Sequence, residues 1–169
     1  MSVQYIEPIC HFLDQIGIQT RYETLQGPTF LPGLLIQNGT ILIDQEKLLY
    51  PGDVLHEAGH IAVCTPEDRP HLGGNITDNH PDKAGDEMAV LLWSYAAALH
   101  LNLPPDIVFH PNGYNGNSQW LIDHFTTGQY IGLPLLVWMG LAHNPDPNRP
   151  EVGFPNMLHW LRPQKHGGT

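Results

Sequence analysis

The chain has 169 residues, the length of one domain with a substantial core. Hydrophobic residues make up 41% and charged residues only 14%, a globular rather than a disordered composition. The formal net charge is -10 with 7 Lys and Arg residues, which argues against the clustered basic surface that nucleic acids and anionic membranes require. We therefore expect one domain over residues 1–169, with neither nucleic acid nor membrane among its partners.

The start of the chain and its two cysteines bear on the compartment. No positively charged, apolar stretch opens the sequence, so we expect a cytoplasmic protein. Cys10 and Cys64 are then expected to be reduced, buried thiols rather than a disulfide. The small number of charges also leaves room for a buried contact between subunits, so the sequence is compatible with a homo-oligomer.

Hydrophobic periodicity predicts a helix and a small sheet in the first quarter of the chain. Apolar residues at spacings of three and four over 3–16 predict an amphipathic helix. Residues 18–25 alternate enough for a short strand. Two strand-forming runs within 34–43 flank Asn38-Gly39, the strongest signal for a two-residue hairpin turn.

A second helix is predicted at residues 54–63. Asp53 is a suitable N-cap for it, and Thr65-Pro66 ends it. Gly59 costs up to about 1 kcal/mol in a helix interior, so we expect a neighbouring element to pack closely there.

The rest of the chain is predicted to be a long loop followed by helices. Residues 66–85 are rich in Pro, Gly, Asn and Asp, which indicates a loop that is functional or mobile. The strongest helix signal follows at 86–99, where the pattern is apolar nearly all round and therefore predicts burial. Pro104-Pro105 ends this helix, and further helices are predicted at 118–126, 133–142 and 156–161.

The second predicted helix carries the sequence His56-Glu57-Ala58-Gly59-His60, which fits the HExxH pattern of zinc hydrolases. Two histidines four residues apart lie on one helix face, so both imidazoles can reach one ion. We predict that His56 and His60 bind Zn²⁺. Glu57 would accept a proton from the metal-bound water, whose pKa zinc lowers to about 7.

A catalytic zinc ion needs a third protein ligand and an open fourth position. The three-histidine extension of the motif is absent, because Pro66 stands six residues beyond His60. Glu87 is our prediction, since a carboxylate turned towards the apolar face of its helix needs a cation to compensate it. A helix N-terminus also favours acids without any metal. The alternatives that stay open are Asp86, His71, Asp78, His80, Asp82 and Cys64.

This arrangement resembles the gluzincin metallopeptidases, and more narrowly the compact ImmA/IrrE-like family of HExxH zincins. The matching residues are His56, Glu57, His60 and Glu87, and the resemblance covers roughly residues 1–103. It implies a zincin-like α+β fold, with a small twisted, mostly antiparallel sheet and its hairpin packed against the HExxH helix and several further helices. It also implies that the strand at 40–44 borders the cleft and offers its edge to an extended peptide.

The resulting hypothesis is a zinc-dependent peptidase or amide hydrolase that acts on a peptide or protein substrate, with Glu57 as general base. A second donor for the developing oxyanion would come from one of several side chains, namely Tyr95, His100, Tyr114, His124 or His143. The alternative is a catalytically inactive metal-binding domain that interacts with a protein, its fourth coordination position being filled by Cys64 or His80. A third hypothesis is a helical domain without metal, in which the motif is coincidental.

Overall fold

The computed structural model describes residues 3–164, except the side chains of Val3, Thr77 and Asp78. It has an α+β architecture of three strands and seven α-helices in this part of the chain. In chain order these are α1 (Val3–Ile16), β1 (Thr20–Tyr22), β2 (Leu34–Gln37), β3 (Thr40–Ile43), α2 (Asp53–Ala62), α3 (Ile76–Asn79), α4 (Glu87–His100), α5 (Pro105–Val108), α6 (Ser118–Thr126) and α7 (Leu133–Trp138). Between residues 3 and 164, no helix has both the length and the apolar character that crossing a membrane requires.

The three strands form one sheet in the order β1-β3-β2. The predicted hairpin is present: β2 and β3 are antiparallel, and Asn38 and Gly39 have the positive φ angles of 51° and 76° that a tight hairpin turn needs. β1 runs parallel to β3. The sheet is therefore mixed, and the expectation of a mostly antiparallel sheet is wrong. The connection over residues 23–33 takes the chain from β1, on one side of β3, to β2 on the other side. The hairpin then returns as β3, which pairs with β1 in the parallel sense.

This strand order changes the expected binding edge. β3 is the central strand, and its backbone pairs with β1 on one side and with β2 on the other. A peptide has no free edge to join there. The expectation that the strand at 40–44 adds an extended peptide to its edge is therefore wrong.

The N-terminus of α2 differs from the predicted capping arrangement. Gly52 occupies the N-cap position, and Asp53 is already helical. A side chain at Gly52 would collide with the backbone of Ile107, since a Cβ there would lie 1.9 Å from its carbonyl oxygen. The Asp53 carboxylate does not cap the helix and bonds instead to His110.

Helices α2 and α4 pack against each other at Gly59. A Cβ at this position would lie 2.9 Å from Val90 Cγ1 and 3.2 Å from the Val90 carbonyl oxygen. The expected close approach at Gly59 is thus confirmed, as is the burial of the apolar helix, whose residues 89–98 are all buried. This contact determines how far the first turn of α4 lies from the HExxH face of α2.

The carbonyl groups at the C-terminal end of α2 are satisfied by two arginines. Arg69 donates to the carbonyl oxygens of Ile61 and Cys64, at 3.2 and 3.0 Å. Arg162 donates to the Val63 carbonyl at 3.1 Å, and its own carbonyl accepts from Arg69. Two of the few cations in the chain therefore hold the end of the HExxH helix, where unpaired carbonyls would be costly.

Several predicted elements differ in extent. The segment 66–85 is not one long loop, because it contains α3 and two short 3₁₀ helices, Arg69–His71 and Pro81–Asp86. The fifth helix, α5, was not predicted, and α7 ends at Trp138 rather than at residue 142.

Residues 156–161 are not helical, which contradicts the prediction. Their backbone groups pair with distant parts of the chain instead. The Leu158 amide donates to the Leu141 carbonyl, and the Trp160 carbonyl accepts from the Trp93 indole. These long-range bonds replace the local ones that a helix would have made.

Replacing Gly59 by Ala tests the helix contact. A methyl group there meets Val90 atoms closer than normal packing, so we expect Gly59→Ala to lower the free energy of unfolding by about 1–3 kcal/mol, despite the better helix propensity of Ala. Urea unfolding followed by circular dichroism measures the change. Gly85→Ala is the matched control, since its Cβ would meet nothing within 4 Å. Equal stability of the two variants would contradict this account.

Candidate metal centre

Three side chains of α2 converge on one point. Donor atoms of His56, Glu57 and His60 all lie within 4.8 Å of one another. The two histidines stand one helical turn apart on the same face, as the HExxH spacing requires. Among the side chains that the structure describes, this is the group of three or more His, Cys, Asp or Glu residues that could hold a metal ion.

Glu87, the first residue of α4, faces this group from across the helix contact. Its Oε1 atom lies 3.4 Å from His56 Nε2, and its Oε2 atom lies 3.4 Å from His60 Nε2. These separations exceed the usual length of an N–H···O hydrogen bond, roughly 2.7–3.2 Å. They match the spacing of two ligands on one tetrahedral zinc ion, about 3.4 Å for bonds of about 2.0–2.2 Å. Glu87 is therefore close enough to both imidazoles to share a metal ion with them.

Both imidazoles are held in the form that binds metals. Burial, together with the neighbouring His60 and His110, lowers the pKa of His56 to about 3. Burial likewise lowers the pKa of His60 to about 4. At neutral pH both rings are uncharged and keep a lone pair for a metal ion.

The carboxyl groups of Glu57 and Glu87 are harder to ionise than usual. Burial raises the pKa of Glu57 to about 8, and the negative charges of Asp53 and Glu87 contribute to the rise. Burial also raises the pKa of Glu87. Grouped acids in a low-dielectric site are stabilised by a bound cation, which would reverse these shifts.

The orientation of His56 depends on its aromatic neighbours. Its Nδ1 atom is buried and has no hydrogen-bond partner among the described residues. The ring instead packs edge-to-face against His60, at a centroid distance of 4.9 Å, and against Tyr114, at 5.7 Å. Metal-binding histidines usually donate their second N–H to an acceptor, so ring packing takes over the orienting role here.

A buried Asp–His pair fixes the start of the HExxH helix. His110 Nε2 lies 2.8 Å from Asp53 Oδ1, and the imidazole stacks on Tyr50 at a centroid distance of 3.8 Å. Gly113 lies beneath the same ring, where a Cβ would be 3.0 Å from His110 Cε1. Ser118 donates to the His110 carbonyl at 2.6 Å. Sequence reasoning missed His110, because nothing in the local pattern links it to a residue 57 positions away.

Tyr114 is the candidate oxyanion donor that the structure brings to the cluster. It lies in a short 3₁₀ turn, Tyr114–Gly116, and has a left-handed φ of 59°, followed by 52° at Asn115. Such angles are unusual for a bulky residue and are concentrated at functional sites. Burial raises the pKa of Tyr114 strongly, with the acids of the cluster adding to the effect, so the phenol stays protonated as a donor.

The other four oxyanion candidates make contacts elsewhere. Tyr95 packs against Phe125, His100 packs against Trp160, and the ring of His124 lies on Trp120. His143 lies in the segment after α7 and does not line the cavity beside the cluster.

The alternative metal ligands are also placed. Cys64 donates its thiol to the His60 carbonyl and does not belong to the donor cluster, and burial raises its pKa to about 11. His71 is exposed, and Asp82 pairs with Lys83. Asp86 and His80 are only partly buried and do not belong to the donor cluster, whereas the side chain of Asp78 lies outside the described residues. Cys10 and Cys64 are both free thiols, as predicted, but only Cys64 is buried.

Two cavities meet at this centre. The first cavity, of about 540 Å³, is lined by the three donors on α2 and by Glu87, Tyr114 and His110. The second cavity, of about 550 Å³, lies beyond Glu87 and Tyr114, which line both. Each volume falls in the range of small-molecule and peptide side-chain sites.

Comparisons with known protein families, with curated proteins and with solved structures found no match. The likeness to zincins consequently rests on the motif and on the geometry described above.

Metal loading gives a direct prediction. We expect the purified protein to bind one Zn²⁺ per chain, measured by elemental analysis and by the rise in melting temperature on zinc addition. His60→Ala removes one ligand and should weaken zinc binding by more than about 100-fold. The loss of a ligand should cost more affinity than the loss of a residue that only hydrogen-bonds to a ligand, which costs about 10–100-fold. His71→Ala is the matched control, because this histidine is exposed. Equal loss of zinc in both variants would contradict the placement of the ion.

Proposed function

We propose that the protein is a zinc-dependent peptidase or amide hydrolase. His56, His60 and Glu87 would hold the ion, and Glu57 would act as general base. The observation that carries the proposal is the pair of 3.4 Å separations between the Glu87 oxygens and the two imidazole Nε2 atoms, with Glu57 beside them in a cavity. We further infer a cytoplasmic protein whose substrate is a peptide or protein.

The reaction assigns a separate task to each side chain. A zinc ion supplies a Lewis acid that polarises the scissile carbonyl and lowers the pKa of a bound water to about 7. The Glu57 carboxylate takes the proton of the attacking water and returns it to the leaving nitrogen. Its position on the turn between the two histidines brings it to the same point as the ligands.

Tyr114 would stabilise the developing oxyanion. Its protonated phenol lies at the boundary of the two cavities, against the His56 ring. A preorganised donor aimed at developing charge typically contributes about 10²–10³ in rate. The strained backbone at Tyr114 is the local cost of holding this donor in place.

A catalytically inactive metal-binding domain that interacts with a protein is the second candidate function. The observation that favours it is the membership of Glu57 in the same 4.8 Å group as the two histidines. If Glu57 itself binds the ion, it closes the position that a substrate carbonyl would need. Its predicted role as base would then be lost.

Glu57→Gln separates the two candidates. The amide keeps the size of the side chain and removes the base, so we expect cleavage of a peptide library to fall by about 10²–10⁴-fold while zinc content is unchanged. Mass spectrometry of the products measures cleavage, and elemental analysis measures zinc.

Leu158→Ser serves as the control for this experiment, since Leu158 is exposed and lines neither cavity. Its activity should equal that of the wild type. If wild type and Glu57→Gln are equally inactive while both are fully loaded with zinc, the hydrolase proposal fails and the inactive domain remains.

A further inference from the structure

The two cavities are neighbours that share part of their lining, and this shared part is the boundary between them. Glu87, Tyr114 and Asn115 line both of them, whereas His56, Glu57 and His60 line the first. A chain that lies across this boundary would place one side chain in each cavity. The reacting bond would then lie beside the HExxH face.

Exposed hydrophobic side chains concentrate at these cavities. Of the eight large hydrophobic residues that are exposed in the described part of the chain, four line them. Phe30 and Leu49, exposed by 68% and 59%, line the first cavity, and Trp120 and Ile131, by 47% and 39%, line the second. Single exposed hydrophobics need no explanation, but a concentration of them at one cleft indicates a surface that binds apolar groups.

The charges of the cavities select against chain ends. Among the described lining residues there is neither Lys nor Arg, so no side chain of either cavity offers a positive charge to a free substrate carboxylate. A free N-terminal ammonium also lacks an available acid. Asp53 is bonded to His110, and Glu57 and Glu87 belong to the centre. Internal segments of a chain avoid both costs.

We propose, on the basis of the hydrolase function above, that the substrate is an internal peptide segment with a large apolar side chain on each side of the scissile bond. One side chain occupies the first cavity and packs against its wall of Phe30 and Leu49. The other side chain occupies the second cavity and packs against its wall of Trp120, Ile131 and Met88 of α4.

Blocked peptides test this assignment. The zinc-loaded wild type is incubated with a peptide mixture whose ends are acetylated and amidated, and the cleaved bonds are identified by mass spectrometry. We expect cleavage between large apolar residues, with kcat/KM lowered by at least about 10-fold when either flanking residue is replaced by Ser. Peptides with free ends should be cut no faster.

Substitutions in the cavity walls show which cavity binds the residue on each side of the cleaved bond. Phe30→Ser should remove the apolar preference on one side of the cleaved bond, and Ile131→Ser should remove it on the other side. Leu158→Ser, at an exposed hydrophobic residue outside both cavities, should leave both preferences unchanged. Unchanged selectivity in the first two variants would overturn the assignment of the walls.

Binding to zinc-loaded Glu57→Gln, measured by calorimetry, distinguishes the two proposals. If this variant binds the apolar blocked peptides and the wild type cleaves none, the hydrolase function fails while the binding of apolar segments stands. If cleavage shows no flanking preference, or requires a free end, the substrate assignment fails while the hydrolase function stands. Absence of both binding and cleavage overturns both.

Discussion

The contact between α2 and α4 at Gly59 is the constraint on which the rest of the centre depends. The HExxH motif supplies two imidazoles and a carboxylate from one helix, whereas Glu87, which faces them, starts a different helix 27 residues after His60. Only the missing side chain at Gly59 lets Val90 come close enough to bring Glu87 to 3.4 Å from both imidazoles. The close contact with Val90 therefore explains a residue of poor helix propensity in the middle of this helix.

Electrostatics and packing in this region support each other. The pair of Asp53 and His110 anchors the first turn of α2, and the arginines at positions 69 and 162 satisfy carbonyls at its last turn. Both ends of the helix are therefore fixed by partners from distant segments, which holds His56, Glu57 and His60 in position between them. Burial raises the pKa values of Glu57 and Glu87, and a bound cation would offset the cost of burying their charged forms.

Local signals in the sequence predicted several elements of the fold. The Asn38-Gly39 turn, the period of α1 and the apolar run of α4 are each encoded within a few residues, and all three are present. The parallel pairing of β1 was not predictable, because neighbouring residues do not encode which edge of β3 a strand joins. The same holds for His110, whose partner is 57 positions away, and for residues 156–161, whose backbone bonds to distant segments.

X-ray absorption spectroscopy of the zinc-loaded protein determines whether one ion is held between α2 and α4. We expect two imidazole nitrogens and carboxylate oxygen at about 2.0–2.2 Å from zinc, with the carboxylate contribution lost in Glu87→Ala and kept in Glu57→Gln. A sulfur atom at about 2.3 Å would contradict this expectation, because the ligand would then be a cysteine. A spectrum unaltered by Glu87→Ala would contradict it equally.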